Sequence, residues 1–133
     1  MWRITGSAVA GLLAWVVFIT LLNFALRAAI PGYHAAETTL VFTPAMKTGR
    51  LVEAALASLA AGAVVRLIAP ASKWAPWIVG LILLAMFLPE HAKLWNRFPL
   101  WYHLSFLVPL APLVAAGAVM VTNSRSVRQP AVS

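Results

Sequence analysis

Three histidines and three glutamates are the residues of this sequence best suited to acid–base chemistry or metal binding: His34, His91, His103, Glu37, Glu53 and Glu90. Imidazole together with carboxylate can bind first-row transition metals, and imidazole can move protons near neutral pH. The pairs His34 with Glu37 and Glu90 with His91 are close in sequence, but this spacing is unspecific and no HExxH motif is present. We therefore predict no metal, no cofactor and no catalytic residue, and leave open whether the protein is an enzyme.

His103 is the most informative of these residues, because it lies about one turn inside an apolar helix. The residues 8, 12 and 15 positions further on are Ala111, Ala115 and Ala118, so His103 shares a stripe of small side chains that should meet another helix. An ionisable group that faces the interior indicates ligand or proton handling, and a structural hydrogen bond is the alternative. Bis-histidine haem binding is disfavoured because only His103 lies within a predicted helix.

Arg27 is the second candidate for a buried polar contact. Asn23 lies four residues before it on the first helix, and Glu53 lies near the start of the second helix on the same side. An Arg27–Glu53 ion pair would join the two helices and relieve the cost of burying either charge alone. An Arg27 that reaches the membrane surface without a partner is the alternative. We expect His103 to be buried close to Glu53, Arg27 or His91.

The composition shows that membrane helices must position these residues. The chain has 133 residues, of which 62% are hydrophobic and 10% charged, with mean hydropathy +0.89, whereas soluble domains are about a quarter charged. The net charge of +7 comes from lysines and arginines scattered at predicted helix ends. This distribution favours the bilayer and its anionic lipids as partners, and it argues against nucleic acid. The absence of cysteine excludes disulfides and thiolate metal sites.

We predict an all-α bundle of four transmembrane helices with short loops, in a single domain over residues 1–121. Spans of about 20 apolar residues leave room for four. They are expected at about residues 4–30, 50–68, 74–89 and 99–121, followed by a basic, disordered tail at residues 122–133. The segment 33–49 is the longest connection, and we expect it on the membrane surface.

Two local patterns bear on how the helices pack. Ala54, Ser58 and Gly62 line one face of the second helix with small side chains, which lets another helix approach closely. Pro109 and Pro112 lie inside the last helix, where each removes a backbone donor and favours a kink.

All the acids and all the histidines fall on the side of the membrane opposite the termini. The plain explanation is that this side has the two longer loops, and the functional explanation is a polar site at the mouth of the bundle. Basic residues are divided evenly between the two sides, so the positive-inside rule does not decide the orientation. We place both termini in the cytoplasm because Arg3 precedes the first helix and the tail arginines Arg125 and Arg128 have no acidic residue near them.

The segments FTPAMKTGRLVEAALASLAAGAVVRLIAP and LPEHAKLWNRFPLWYHLSFLVPLAPL resemble an uncharacterised family of small bacterial inner-membrane proteins with four helices. In that family, a segment of the type FPxWYHLxFL opens the last helix. The resemblance covers residues 33–117 and implies a bacterial inner membrane, but no activity. In the same segment, Phe98, Tyr102 and Phe106 recur every four residues, and we expect this face to meet lipid or the aromatic belt.

Three functions fit these patterns. The first is an accessory or interaction subunit of the inner membrane, or a homo-oligomer, because the predicted spans hold few polar groups. The second is a small transporter or channel with His103, Glu53 and Arg27 as a gate. The third is a metal or acid–base site that uses His34, His91, His103 and the glutamates. A water-accessible cavity at His103 would favour the second or third function, and a dry, close-packed bundle the first.

Overall fold

The computed structural model describes residues 2–39 and 41–128, and it contains helices and no strands over those residues. The helices are α1 Trp2–Ala29, α2 Tyr33–Thr39, α3 Pro44–Ile68, α4 Ala75–Lys93, α5 Leu100–Leu107 and α6 Leu110–Arg128. Helices α1, α3 and α4, together with the span Leu100–Thr122 formed by α5 and α6, are long and apolar enough to cross a membrane. The predicted all-α fold with four spans is confirmed, and this is the pattern of a multi-pass membrane protein.

The connection between the first two spans differs from the prediction. Helix α1 ends before Pro31, and Gly32 takes a φ of 81°, which glycine adopts at little cost. Helix α3 then begins at Pro44, six residues before the predicted start, because Thr43 caps it: the Thr43 hydroxyl accepts a hydrogen bond from the backbone N–H of Met46 at 3.2 Å. A capping threonine followed by proline is a strong helix start.

Prolines act differently in the two later spans. Helix α4 continues through Pro89 to Lys93, past its predicted end. The last span breaks at Val108 and Pro109, which agrees with the predicted kink. Helix α6 extends to Arg128, beyond the predicted end at residue 121, and residues 129–133 of the predicted tail lie outside the described residues.

Small residues allow the backbones of α3 and α6 to touch. A Cβ atom on Gly62 would overlap the carbonyl oxygen of Val114, and a Cβ on Gly117 would overlap that of Leu59. Ala54 and Ser58 are also buried, so the predicted small-residue face of the second span is confirmed. This close approach explains why the bundle needs few large side chains at its centre.

Helices α4 and α1 pack on this central pair. Gly80 of α4 rests against the backbone of Ala111, and Gly11 of α1 faces Val65. The Trp15 indole N–H donates to the Ser58 hydroxyl at 3.1 Å, which satisfies a polar group in the middle of the bundle. This part of the bundle is therefore closely packed.

The alternating direction of the spans brings one set of helix ends together. We call this end the mouth: it consists of α2, the C-terminal ends of α1 and α4 and the N-terminal ends of α3 and α5. A second apolar cluster lies there, made of Tyr33, Ala36, Phe42, Met46, Phe98 and Tyr102. Segment 33–49, predicted to lie on the membrane surface, thus packs Tyr33, Ala36, Phe42 and Met46 onto the end of the bundle.

Candidate functional site

Helix α2 is tied to α1 by a carboxylate that accepts several hydrogen bonds. The Arg27 guanidinium donates to both Glu37 carboxylate oxygens, from Nε at 2.7 Å and from Nη2 at 3.1 Å, and Asn23 donates a third bond at 3.1 Å. Bidentate pairing of this kind is the stronger form of charge-assisted hydrogen bond. The hydrogen bond from Arg27 lowers the pKa of the Glu37 carboxyl below its ordinary value, because it stabilises the ionised form.

Arg50 connects three helices at the mouth. Its Nε donates to the Tyr102 hydroxyl of α5 at 3.0 Å, and its Nη1 donates to the Tyr33 hydroxyl of α2 at 3.1 Å. The guanidinium also lies over the Phe42 ring, 4.8 Å from its centroid. Among the residues that the structure describes, no carboxylate forms an ion pair with Arg50, and its Nη2 donates no hydrogen bond.

Tyr33 extends this network to α1. Its hydroxyl accepts from Arg50 and donates to the Asn23 side-chain oxygen at 3.2 Å, so it joins the Arg50 contacts to the Arg27–Glu37 pair. The side chain is fully buried, and burial raises the pKa of the Tyr33 hydroxyl because the charged phenolate is disfavoured. Tyr33 is thus held as a neutral hydrogen-bonding group.

Glu53 lies one turn beyond Arg50 on α3, and its carboxylate is not paired. Only 6% of Glu53 is exposed, and its buried Oε2 atom has no hydrogen-bond partner in the described part of the chain. An unsatisfied buried carboxyl oxygen costs free energy, so it requires a physical explanation.

These groups surround a cavity of about 310 Å³ between α1, α2 and α3, which we call the Arg50 cleft. Its polar lining consists of Thr20, Asn23, Arg27, Glu37, Arg50 and Glu53. A cavity of this size can hold a small polar group together with water. The combination of two arginines and two glutamates makes it a charged cleft at the end of an apolar bundle.

His91 of α4 and His103 of α5 are both buried, and they form a pair at the mouth. Nδ1 of His91 lies 2.7 Å from Nδ1 of His103, so one ring donates and the other accepts. His103 is fully buried, and Trp95 stacks on it with ring centroids 4.7 Å apart. Nε2 of His103 has no hydrogen-bond partner among the described residues. The prediction that His103 is buried close to His91 is confirmed.

A smaller cavity of about 200 Å³ adjoins the histidine pair. It is lined by His91, Glu90 and Tyr102, and Arg50 belongs to its wall as well as to the Arg50 cleft. His103 does not line it, because the rings of Trp95 and His91 cover the imidazole. The cavities thus converge on Arg50, and not on His103.

The structure separates the six predicted site residues into four groups. Arg27 pairs with Glu37, so the expected Arg27–Glu53 ion pair is wrong: α2 folds back over the end of α1 and presents a nearer carboxylate. His91 and His103 contact each other, and Glu53 stands alone in the Arg50 cleft. His34 and Glu90 are peripheral.

Neither peripheral residue joins the cleft through a close contact. His34 is 76% exposed at its side chain and lies 3.8 Å from Glu37. Glu90 is 58% exposed at its side chain and pairs loosely with Lys93 at 3.5 Å. Over the described residues, no group of three histidine, aspartate or glutamate side chains is arranged to hold a metal ion.

Sequence reasoning missed Arg50, Tyr33 and Tyr102 as site residues. Tyr102 was expected to face lipid with Phe98 and Phe106, but Tyr102 and Phe98 are buried in the mouth cluster. The spacing of four residues places Phe98, Tyr102 and Phe106 on one helix face, but it does not show which neighbouring element covers that face. A tyrosine directly after Pro31-Gly32 was the one available signal that α2 would be anchored.

No protein-family model, curated protein or solved structure matches this chain. The resemblance of residues 33–117 to small four-helix inner-membrane proteins stays a prediction.

Proposed function

We propose that this protein is a multi-pass protein of the bacterial inner membrane that binds a small anionic group, the phosphate of a lipid headgroup, in the Arg50 cleft. The observation that carries the proposal is Arg50 itself, which lines both mouth cavities without a carboxylate partner among the described residues. Two tyrosine hydroxyls hold its guanidinium in place. A positioned arginine with a free N–H group is well suited to phosphate.

The bundle beneath the cleft supports binding at the mouth over conduction through the membrane. Contacts between the backbones of α3, α4 and α6 fill the centre, and Trp15 satisfies the buried Ser58 hydroxyl. The three acids all lie at the mouth end of the chain's spans or in its loops, so the described middle holds no carboxylate to carry a proton or cation. An accessory or oligomeric role in the membrane stays a prediction from the sequence.

Lipid binding by the purified full-length chain in neutral detergent, measured by native mass spectrometry, tests the proposal. We expect phosphatidylglycerol to bind more tightly than a diacylglycerol with the same chains, which lacks the phosphate. Arg50→Lys keeps the positive charge but removes the planar guanidinium group. Because this loses a charge-assisted hydrogen bond, we expect the variant to bind phosphatidylglycerol about tenfold more weakly, or weaker still.

Arg97→Lys is the matched control, because Arg97 is an exposed arginine at the same end of the molecule. It should bind like the wild type. Equal binding of phosphatidylglycerol and diacylglycerol by the wild-type protein would contradict the proposal, and equal weakening by both substitutions would show nonspecific attraction at the mouth.

We further propose that both termini lie in the cytoplasm and the mouth faces outward. The resemblance to inner-membrane proteins and the position of Arg3 in the first turn of α1 support this orientation. Single cysteines at Thr39 and Ser72 of the cysteine-free chain provide the test with an impermeant thiol reagent in whole cells. Thr39→Cys should react and Ser72→Cys should not, and the reverse result would invert the orientation.

A further inference from the structure

Glu53 is the feature of the Arg50 cleft that phosphate binding leaves unexplained. It is buried at the wall of the cleft, and its Oε2 atom has no hydrogen-bond partner among the described residues. A phosphate does not satisfy this oxygen when Glu53 is ionised, because both groups are then negative. A cationic or hydrogen-donating group would satisfy it.

The two arginines of the cleft do not serve as that partner. Arg27 directs Nε and Nη2 to Glu37, and Arg50 directs Nε and Nη1 to the two tyrosines. Arg50 and Glu53 therefore line one cavity without a hydrogen bond between them. Residues three apart on a helix have Cβ atoms about 5–6 Å apart, so a short ligand can reach both.

We propose that the ligand of the Arg50 cleft is zwitterionic, with its phosphate on Arg50 and a primary ammonium on Glu53. This inference rests on the proposed function and narrows it to an aminoalkyl phosphate. The ammonium supplies up to three donors, of which the Glu53 carboxylate accepts one, and the side-chain oxygens of Asn23 and Thr20 lie in the same lining. The charges of the ligand thus complement those of the cleft.

An adjoining groove indicates that the aminoalkyl phosphate is part of a lipid. Glu53 also lines a second cavity of about 300 Å³ between α1 and α3, whose remaining walls are almost wholly apolar and include Leu22, Leu26, Val52 and Leu56. An acyl chain fits such a groove, because it is apolar and adjoins the polar cleft at Glu53. We therefore commit to a lipid with an ethanolamine phosphate headgroup as the occupant.

Two lipids with identical acyl chains provide the test, again by native mass spectrometry of the full-length protein in neutral detergent. We expect phosphatidylethanolamine to bind about tenfold more tightly than phosphatidylglycerol, since only the former has an ammonium to pair with Glu53. Glu53→Gln should remove this preference. Glu90→Gln is the matched control and should retain it, because Glu90 is exposed, lies at the same end and does not line the Arg50 cleft.

The comparison of the two lipids on wild-type protein keeps the inference testable even if Glu53→Gln fails to fold. Equal binding of the two, with Arg50→Lys still weakening both, would overturn the zwitterionic ligand and leave phosphate binding in place. Failure of every phosphate-bearing lipid to bind would overturn both proposals. Free phosphoethanolamine that binds as tightly as the lipid would overturn the lipid source while supporting the zwitterion.

Discussion

The two ends of this bundle solve the burial of polar groups in different ways. Toward the termini and the centre, glycine and alanine bring backbones into contact, and buried polar side chains have hydrogen-bond partners, as Trp15 has with Ser58, although the Nε atom of Arg66 has none among the described residues. At the mouth, charged residues gather around cavities, and buried atoms of Glu53 and His103 remain without hydrogen-bond partners. We call the region near the termini and at the centre the closed part. The comparison indicates that the closed part provides stability, whereas the mouth carries the polar chemistry.

The largest effect is expected from Gly62→Ala in the closed part. The added methyl group would overlap the carbonyl oxygen of Val114, and backbone atoms cannot move aside as a flexible side chain can. We expect a loss of about 3 kcal/mol or failure to fold, measured as yield and thermal stability in detergent. Gly6→Ala is the control, because a Cβ there meets nothing within 4 Å. Similar stability of the two variants would show that the closed part is not closely packed.

Tyr33→Phe tests whether the mouth is held together by its polar network. The substitution removes the hydroxyl that joins Arg50 to Asn23, but it keeps the buried ring. We expect a loss of about 1–2 kcal/mol in the free energy of unfolding, and faster proteolysis of the α1–α3 connection. An unchanged proteolysis pattern would show that apolar packing alone holds α2.

His103→Leu should have a smaller effect. It removes the hydrogen bond to His91, but it also removes the buried Nε2 atom that has no partner among the described residues. These changes oppose each other, so we expect a net loss of about 1 kcal/mol or less. A double-mutant cycle with His91→Phe measures the coupling of the pair. Intact stability together with loss of lipid binding would show that the histidine pair belongs to the site.

The smallest effect is expected from acidification. The carboxyl of Glu37 has a pKa below its ordinary value because Arg27 stabilises the ionised form, so its contribution is present above the unfolded pKa of about 4.3 and is lost as the pH falls through the lower, folded value. Thermal stability measured from pH 6 to pH 3 should therefore decline more in the wild type than in Glu37→Gln. Parallel curves would show that the Arg27–Glu37 pair adds nothing to stability.

The sequence was sufficient to predict the four spans and the inward position of His103. Both depend on local patterns: runs of about 20 apolar residues, and a stripe of alanines at helical spacing. The prediction of a small-residue face at Ala54, Ser58 and Gly62 succeeded for the same reason.

The ion pair of Arg27 could not be predicted in the same way. The choice between Glu37 and Glu53 depends on how α2 folds back, which is decided by the turn at Gly32, the cap at Thr43 and the burial of Tyr33. These local features decide which distant residues come into contact, and a hydropathy profile does not show them. The role of Tyr102 likewise depends on Arg50, which is 52 residues away in the chain.

The unequal burial of the spans has a consequence for how the protein is made. In the apolar window of α1, 11% of the residues are buried, against 39% in that of α3, so a larger part of α1 than of α3 stays in contact with lipid. Helix α1 can therefore enter the bilayer during translation and remain stable in lipid before the other helices pack against it. Helix α3 reaches its final surroundings only when α4 and α6 have followed, so the spans after α3 complete its packing.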